Sequence, residues 1–297
     1  MKVLIIGGVA AGTKIAAKLK REQRDAEVLI LTKGKDISYA GCGLPYYVGD
    51  VIKDRGELIV NTPESFTALT GAKVHTGMEA VRLDRAAKTV TVVDCATGEE
   101  QIHTYDKLVI ATGAHPFVPD CPGTDLENVF FMRTPDDADA LRKKVDGGEL
   151  KRVVVVGGGL IGLEVAENLA DRGVKTSVID FAPHILSEML DPEISGYLET
   201  AMANAGIMPF TGVALEGIEG NGKVEKVLTS KRPMKADAVV LAMGFRPNTD
   251  FLADSGLEMF KGTLLVDGQM RTNDPDIYAA GDCALVTSRI TGERQWS

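Results

Sequence analysis

KVLIIGGVAAG at residues 2–12 and RVVVVGGGLIG at residues 152–162 decide the fold. Each is a short apolar run, then a glycine turn, then a stretch able to form a helix. An apolar run without polar alternation marks a strand buried on both faces, as in a parallel sheet. The strand at 3–6 leads into a helix expected over about 12–24 and a second strand at 27–32, EVLILT. That order is a βαβ unit with a right-handed crossover. It recurs as a strand at 153–156, a helix at 160–172 and a strand at 174–180. Residues 88–105 predict a hairpin, TVTVVD and EQIHTY about a TG turn. YDKLVIATGA (105–114) returns as a buried strand ending in glycine, and ADAVVLAMGFRPN (236–248) does the same for the second copy. Asp191 and Pro192 predict a helix start. Its apolar positions Ile194, Leu198, Ala201 and Ala205 share one face, and Gly206 ends it.

TNDPDIYAAGDCA (272–284) has no counterpart in the second copy, so the second copy reads as inserted into the first. The expected class is α/β, with two nested three-layer, Rossmann-like dinucleotide-binding domains: 1–120 with 246–297, and an inserted 121–245.

The chain has 297 residues, enough for two cores, and is 44% hydrophobic and 25% charged. A net charge of −9 argues against nucleic acid and against an anionic membrane surface. No apolar run approaches the roughly 20 residues that span a bilayer. The N-terminal apolar run is too short for a signal peptide, so the expected location is cytoplasmic. Cys42, Cys95, Cys121 and Cys283 form no CxxC pair and no zinc-spaced cluster with histidine, so no metal is expected.

The second glycine turn, Gly157-x-Gly159-x-x-Gly162, has a strand before it and a helix after it. The first glycine makes the tight turn, the second lets backbone approach a pyrophosphate, and the third lets helix pack on sheet. Leu160 and Ile161 open the helix, whose N-terminus is positive. Asp180 ends the next strand, 18 residues beyond Gly162, where a carboxylate accepts from a ribose 2′-hydroxyl and repels a 2′-phosphate. That favours NADH over NADPH. The first turn, Gly7, Gly8, Val9, Ala10, Ala11 and Gly12, carries valine at the middle glycine position and Thr32 where the acid belongs. Gly281 and Asp282 offer a carboxylate to a polyol. Ala111, Thr112 and Gly113 let a nucleotide cross close to backbone.

Together with SYAGCGLPYY (38–47), these segments resemble the FAD-dependent pyridine nucleotide-disulfide oxidoreductases over the whole chain. Dithiol members carry two cysteines four residues apart, and here Tyr46 stands four after Cys42. The chain therefore resembles the single-cysteine branch: coenzyme A-disulfide reductases, NADH-dependent persulfide reductases and NADH oxidases. The peroxidases' histidine in the first turn matches Ala10 here, which counts against peroxide chemistry.

The resemblance implies FAD on the first turn, Thr32, Lys33, Val81, 111–113, Arg133, Gly281 and Asp282. It implies NADH on the second turn, Glu164, Asp180 and Gly244. Cys42 would be the redox thiol, resting against the flavin and forming a mixed disulfide with coenzyme A. Its glycine neighbours let amides approach the sulfur, which favours the thiolate. Lys14, Lys18 and Arg21 fall at i, i+4 and i+7 on the first helix, a stripe that a phosphate would neutralise. With Ser38 they match positions that contact coenzyme A in the family. Gly41 replaces an asparagine found before the cysteine in some members, and Leu160 replaces an aromatic gate. Tyr39, Tyr46 and Tyr47 read as packing residues, and no histidine is assigned to catalysis.

The expected substrate is a coenzyme A disulfide, a persulfide or a polysulfide. An NADH oxidase with Cys42 as a sulfenic acid and a non-turnover flavin or NADH sensor are the alternatives. The resemblance also implies a homodimer for the full-length protein through a C-terminal interface domain that this chain is expected to lack.

Overall fold

The computed structural model describes residues 1–296, which fall into two compact units. The first comprises Met1–Tyr39, Ile59–His115 and residues 246–296. Its central sheet contains β1 (Lys2–Ile6), β2 (Glu27–Thr32), β3 (Lys73–Thr76) and β5 (Lys107–Ile110), with β4 (Met78–Asp84) in a separate antiparallel sheet. The order across the central sheet is Ile277–Ala279, β5, β1, β2, β3, and every pairing is parallel. Helix α1 (Ala11–Glu22) makes the crossover from β1 to β2.

Alternation along these strands sorts their side chains into two cores. Val3, Ile5, Val28, Ile30 and Val109 pack with Ala16 of α1 and with Phe66. Leu4, Ile6, Leu108 and Ile110 pack with Met78 and Leu83 of β4 and with Val90 and Val92. Each such buried side chain contributes roughly 1.5–3 kcal/mol. This is the three-layer arrangement expected from the runs. The hairpin forms with Thr89 opposite Thr104.

The second unit comprises Ala40–Leu58 and Pro116–Phe245. It contains α2 (Pro135–Asp146), β6 (Arg152–Val156), α3 (Leu160–Asp171), β7 (Lys175–Ile179) and β8 (Ala238–Leu241). Its sheet runs Met208–Phe210, β7, β6, β8, Val129–Phe130, again all parallel. Val154, Val156, Ile179, Val239 and Leu241 pack with Ile218 and Val227 of the antiparallel strands beyond and with Val224 of the turn between them.

Two local readings differ from the sequence. Residues 40–58, placed by sequence with the first domain, cluster with the second unit. The helix Pro192–Asn204 forms, but Ile194 is 54% exposed and Ala201 and Ala205 also face outward. Ser195 and Met202 are the buried residues instead. Polar anchoring sets that face: Ser195 Oγ donates to the Ile185 carbonyl at 2.8 Å, and the Ile185 amide donates to Glu199 at 3.2 Å.

Candidate active site

The two glycine turns are copies at the level of single hydrogen bonds. The Gly7 amide donates to Leu31 O at 2.8 Å, and the Gly157 amide to Ile179 O at 2.9 Å. Gly7 and Gly157 have φ of +110° and +113°, a region that side chains avoid. A Cβ on Gly7 would lie 2.0 Å from Ala111 O, and one on Gly157 would lie 2.2 Å from Ala242 O. A Cβ on Gly12 would meet Gly7 O at 1.9 Å, and on Gly162 it would meet Gly157 O at 2.0 Å. Ser38 and Leu186 share the rare φ of about +50° and donate their amides to Gly8 O and Gly158 O, both at 3.0 Å.

Neither turn caps its helix with a side chain. The N-caps are Ala10 and Gly159, whereas the helices beginning at Pro63 and Pro135 carry full capping boxes from Thr62 and Thr134. First-turn amides without a cap suit an anion. Gly159 has an ordinary extended backbone (φ −81°, ψ 178°), and a Cβ there would meet nothing within 4 Å. The fold does not require glycine at that position, which is open to a close approach to backbone. Leu160, 53% exposed, and the half-buried Ile161 and Glu164 follow on α3, and Gly244 lies exposed at the end of the strand-loop after β8. Asp180 accepts from the Gly158 amide at 2.6 Å and, through its other oxygen, from the Ala182 amide at 2.8 Å.

In the first unit, Gly7, Gly8, Ala11, Gly12, Thr32, Ala111 and Gly281 converge at the carboxyl edge of the sheet. A Cβ on Gly8 would touch Thr32, and one on Gly281 would touch Ala11 at 3.3 Å. The Thr112 hydroxyl is buried beside the Cys283 thiol. Val81 is the extra residue of a β-bulge between Ala80 and Arg82, which leaves its backbone out of the ladder. An open glycine cradle with uncapped first-turn amides fits a dinucleotide cofactor here. Lys33 is engaged with Glu79 at 2.9 Å. Arg133, grouped with these residues by sequence, belongs to the second unit and stands over the Phe245 ring at 5.3 Å.

Sequence reasoning missed the side chains that brace this edge. Asn248 donates its side-chain amide to Thr112 O at 2.9 Å and its backbone amide to Gly113 O at 2.9 Å. Trp296 Nε1 donates to Asp282 O at 2.6 Å. Both partners lie far away in sequence, so no local motif signals them.

The basic stripe of Lys14, Lys18 and Arg21 lies on the exposed side of α1. Lys18 is paired with Glu22, its i,i+4 neighbour, at 2.5 Å. Ser38 Oγ accepts from Asn61 Nδ2 at 3.4 Å.

Cys42 is exposed in the turn Gly41–Gly43, just before the short helix Leu44–Val48. That segment is bolted to α2 and α3. Arg142 donates to Tyr47 O at 2.5 Å and Ile52 O at 2.8 Å, pairs with Asp50 at 2.6 Å, and lies 4.3 Å from the Tyr47 ring centroid. Tyr47 donates to Asp139 at 2.9 Å, and Arg172 donates to Val48 O at 3.1 Å. A Cβ on Gly49 would lie 1.9 Å from Asn168 Oδ1 of α3. Tyr47 is thus a packing residue, as read from sequence, and burial pushes its hydroxyl pKa up. Burial pushes the thiols of Cys121 and Cys283 up as well, which leaves them poor nucleophiles. Cys42 and Cys95 are the exposed cysteines.

A family model for pyridine nucleotide-disulphide oxidoreductases matches residues 1–296. The chain belongs to that family. Among family relatives, an NADH oxidase of Methanocaldococcus jannaschii is 36% identical over 297 residues, which is 100% of this chain and 66% of the relative. An NAD(P)H coenzyme A polysulfide/persulfide reductase of Pyrococcus horikoshii is 33% identical over 296 residues, 99% of this chain and 65% of the relative. The structure of an NAD-dependent persulfide reductase from A. fulgidus matches with a TM-score of 0.96 at 34% identity, covering 100% of this chain and 56% of that one. The chain thus spans 56% to 66% of the length of these pyridine nucleotide-disulphide oxidoreductases. Among the described residues no helix is long and apolar enough to cross a membrane.

Proposed function

We propose that this chain is the nucleotide-binding part of an oxidoreductase that passes electrons from NADH through FAD to a sulfur substrate at Cys42. The observation that carries the reading is the pair of uncapped glycine turns together with one exposed cysteine that has Tyr46, not a second thiol, four residues on. FAD would lie on the first unit, along Gly7–Gly12, Thr112, Val81 and Asp282, and NADH on the second, along Gly157–Gly162 and Asp180. When bound, FAD supplies hydride acceptance and two-electron delivery to sulfur.

The chain's own residues position and select. Uncapped amides at Ala11 and Leu160 hold the two pyrophosphates. Asp180 carries a charge that a 2′-phosphate would meet, which sets the preference for NADH. With its second thiol missing, Cys42 must form its disulfide with the substrate. Cys42 Sγ attacks a sulfur of coenzyme A disulfide or persulfide. With the disulfide, the mixed disulfide forms and coenzyme A thiolate leaves. With the persulfide, attack on the sulfur bonded to coenzyme A forms the same mixed disulfide and hydrosulfide leaves. Two electrons drawn from NADH, with two protons, then return Cys42 to the thiol and release coenzyme A thiol.

Similarity to the Pyrococcus horikoshii reductase favours coenzyme A as the carrier. Similarity to the Methanocaldococcus jannaschii enzyme favours a second reading, an NADH oxidase in which Cys42 cycles through a sulfenic acid. One experiment separates them. FAD-loaded protein is bleached with NADH under anaerobic conditions, then mixed with coenzyme A disulfide or with oxygen. Reoxidation by the disulfide that is lost in Cys42→Ser supports the first reading. Reoxidation by oxygen alone supports the second. Reoxidation by the disulfide that is unchanged in Cys42→Ser overturns the role of Cys42.

A further inference from the structure

The two copies differ at one chemically decisive place. Ile6 pairs with Leu31 and Val156 pairs with Ile179, so Thr32 and Asp180 are the same position in the two units. Close contacts agree: a Cβ on Gly8 would lie 3.2 Å from Thr32 Cγ2, and one on Gly158 would lie 3.2 Å from Asp180 Oδ2. The second unit therefore has a carboxylate at the end of its second strand, and the first has a buried, uncharged threonine. A nucleotide on the first unit would find no acid there.

An acid stands one strand over. Thr32 pairs with Thr76, the last residue of β3. The chain turns at Gly77, with φ of +70°, and two residues later presents Glu79 on β4, at the same carboxyl edge of the sheet. Glu79 is drawn toward the end of β2 by Lys33, the residue after Thr32, with Nζ to Oε1 at 2.9 Å. The pair is open to solvent, with side chains 68% and 43% exposed, so it adds little to folding. The second oxygen of Glu79 has no partner among the described residues.

We propose that Glu79, oriented by Lys33, is the adenosine-ribose-binding carboxylate of the first unit. It accepts hydrogen bonds from the hydroxyls of the adenosine ribose of FAD, in place of the acid that Thr32 replaces. The inference rests on the FAD reading above and adds a residue that neither the glycine motif nor its spacing indicates. The ribose contact then comes from β4, beside the bulged residue Val81, and not from β2.

The test is FAD affinity of the apoprotein, read by quenching of the single tryptophan, Trp296, which sits on Asp282 O. Four proteins are compared: wild type, Glu79→Gln, Thr32→Asp, and the double variant. Glu79→Gln is expected to weaken FAD binding about tenfold or more, the size of a lost hydrogen bond to a charged group, with an unchanged melting temperature. Thr32→Asp in the Glu79→Gln background is expected to restore most of the affinity, because it puts the acid where the second copy has it. Equal affinity of wild type and Glu79→Gln overturns the proposal. So does a weakened Glu79→Gln that Thr32→Asp fails to rescue while Thr32→Asp alone binds normally. A wild type that takes up no FAD overturns the FAD reading itself together with this assignment.

Discussion

The glycines of the second turn separate what the fold needs from what a bound nucleotide needs, and Gly159→Ala against Gly162→Ala tests the separation. A methyl at Gly162 would stand 2.0 Å from Gly157 O, against about 3.3 Å for the closest ordinary carbon–oxygen contact. The helix must move off the sheet, at a cost of about 3 kcal/mol. At about 2–4 °C per kcal/mol, that lowers the melting temperature by roughly 6–12 °C. A methyl at Gly159 meets nothing within 4 Å, and its backbone angles suit any residue. Lower unfolded-state entropy, worth about 0.4–1 kcal/mol, offsets the loss of a favourable N-cap glycine, so the melting temperature should stay within about 2 °C. NADH should fare the opposite way. The methyl displaces the pyrophosphate from the first-turn amides, and losing one charge-assisted bond of about 1.5–3 kcal/mol weakens binding roughly 10- to 150-fold. Differential scanning fluorimetry and NADH titration by nucleotide fluorescence read both quantities on the same samples. A Gly159→Ala protein that binds NADH like wild type, or that melts with Gly162→Ala, refutes the reasoning.

Further outcomes follow from other parts of the structure. On the proposed NADH reading, Asp180→Ala should lower the preference for NADH over NADPH at least tenfold, measured by titration with each nucleotide, because it removes the carboxylate proposed to meet the 2′ position. Arg142→Met should leave a short helix with uncapped carbonyls and cost about 2–3 kcal/mol locally; hydrogen exchange should rise over residues 44–52 while β6 and β8 keep their protection. Asp276 is held down to about 2 by Lys107 and Lys88, at 2.6 and 2.5 Å. Its folded pKa lies below its ordinary 3.8, so its stabilisation is present above about pH 4 and is lost as pH falls through 2. Asp276→Asn should therefore lower the melting temperature at pH 7, and the gap to wild type should close toward pH 2.

Much of this architecture is legible in the chain because its signals are local. Unbroken runs such as VLII and VVVV mark strands buried on both faces, and the glycines between strand and helix sit where a Cβ would strike a carbonyl. Cys42 and its lack of a partner thiol are equally local. What stays hidden depends on partners distant in sequence. Ala40–Leu58 joins the second unit through Arg142, Arg172 and Asn168, and nothing near Cys42 announces them. Asn248 braces backbone 136 residues away, and Trp296 braces backbone 14 residues away across a turn that carries no motif. On α1 the stripe Lys14, Lys18, Arg21 is read directly from spacing, and Glu22 adds one exposed i,i+4 pair to Lys18. Helix 192–204 misled because Ser195 and Glu199, polar residues, chose the buried side.

The most direct test of the electron path starts from FAD-loaded protein whose Cys42 has been converted to the mixed disulfide with coenzyme A. NADH is added anaerobically while free coenzyme A and flavin absorbance are followed together. The account predicts release of coenzyme A in step with NADH consumed, with lasting flavin bleaching only after release is complete. Flavin bleaching from the first addition, with coenzyme A still bound to Cys42, would contradict it.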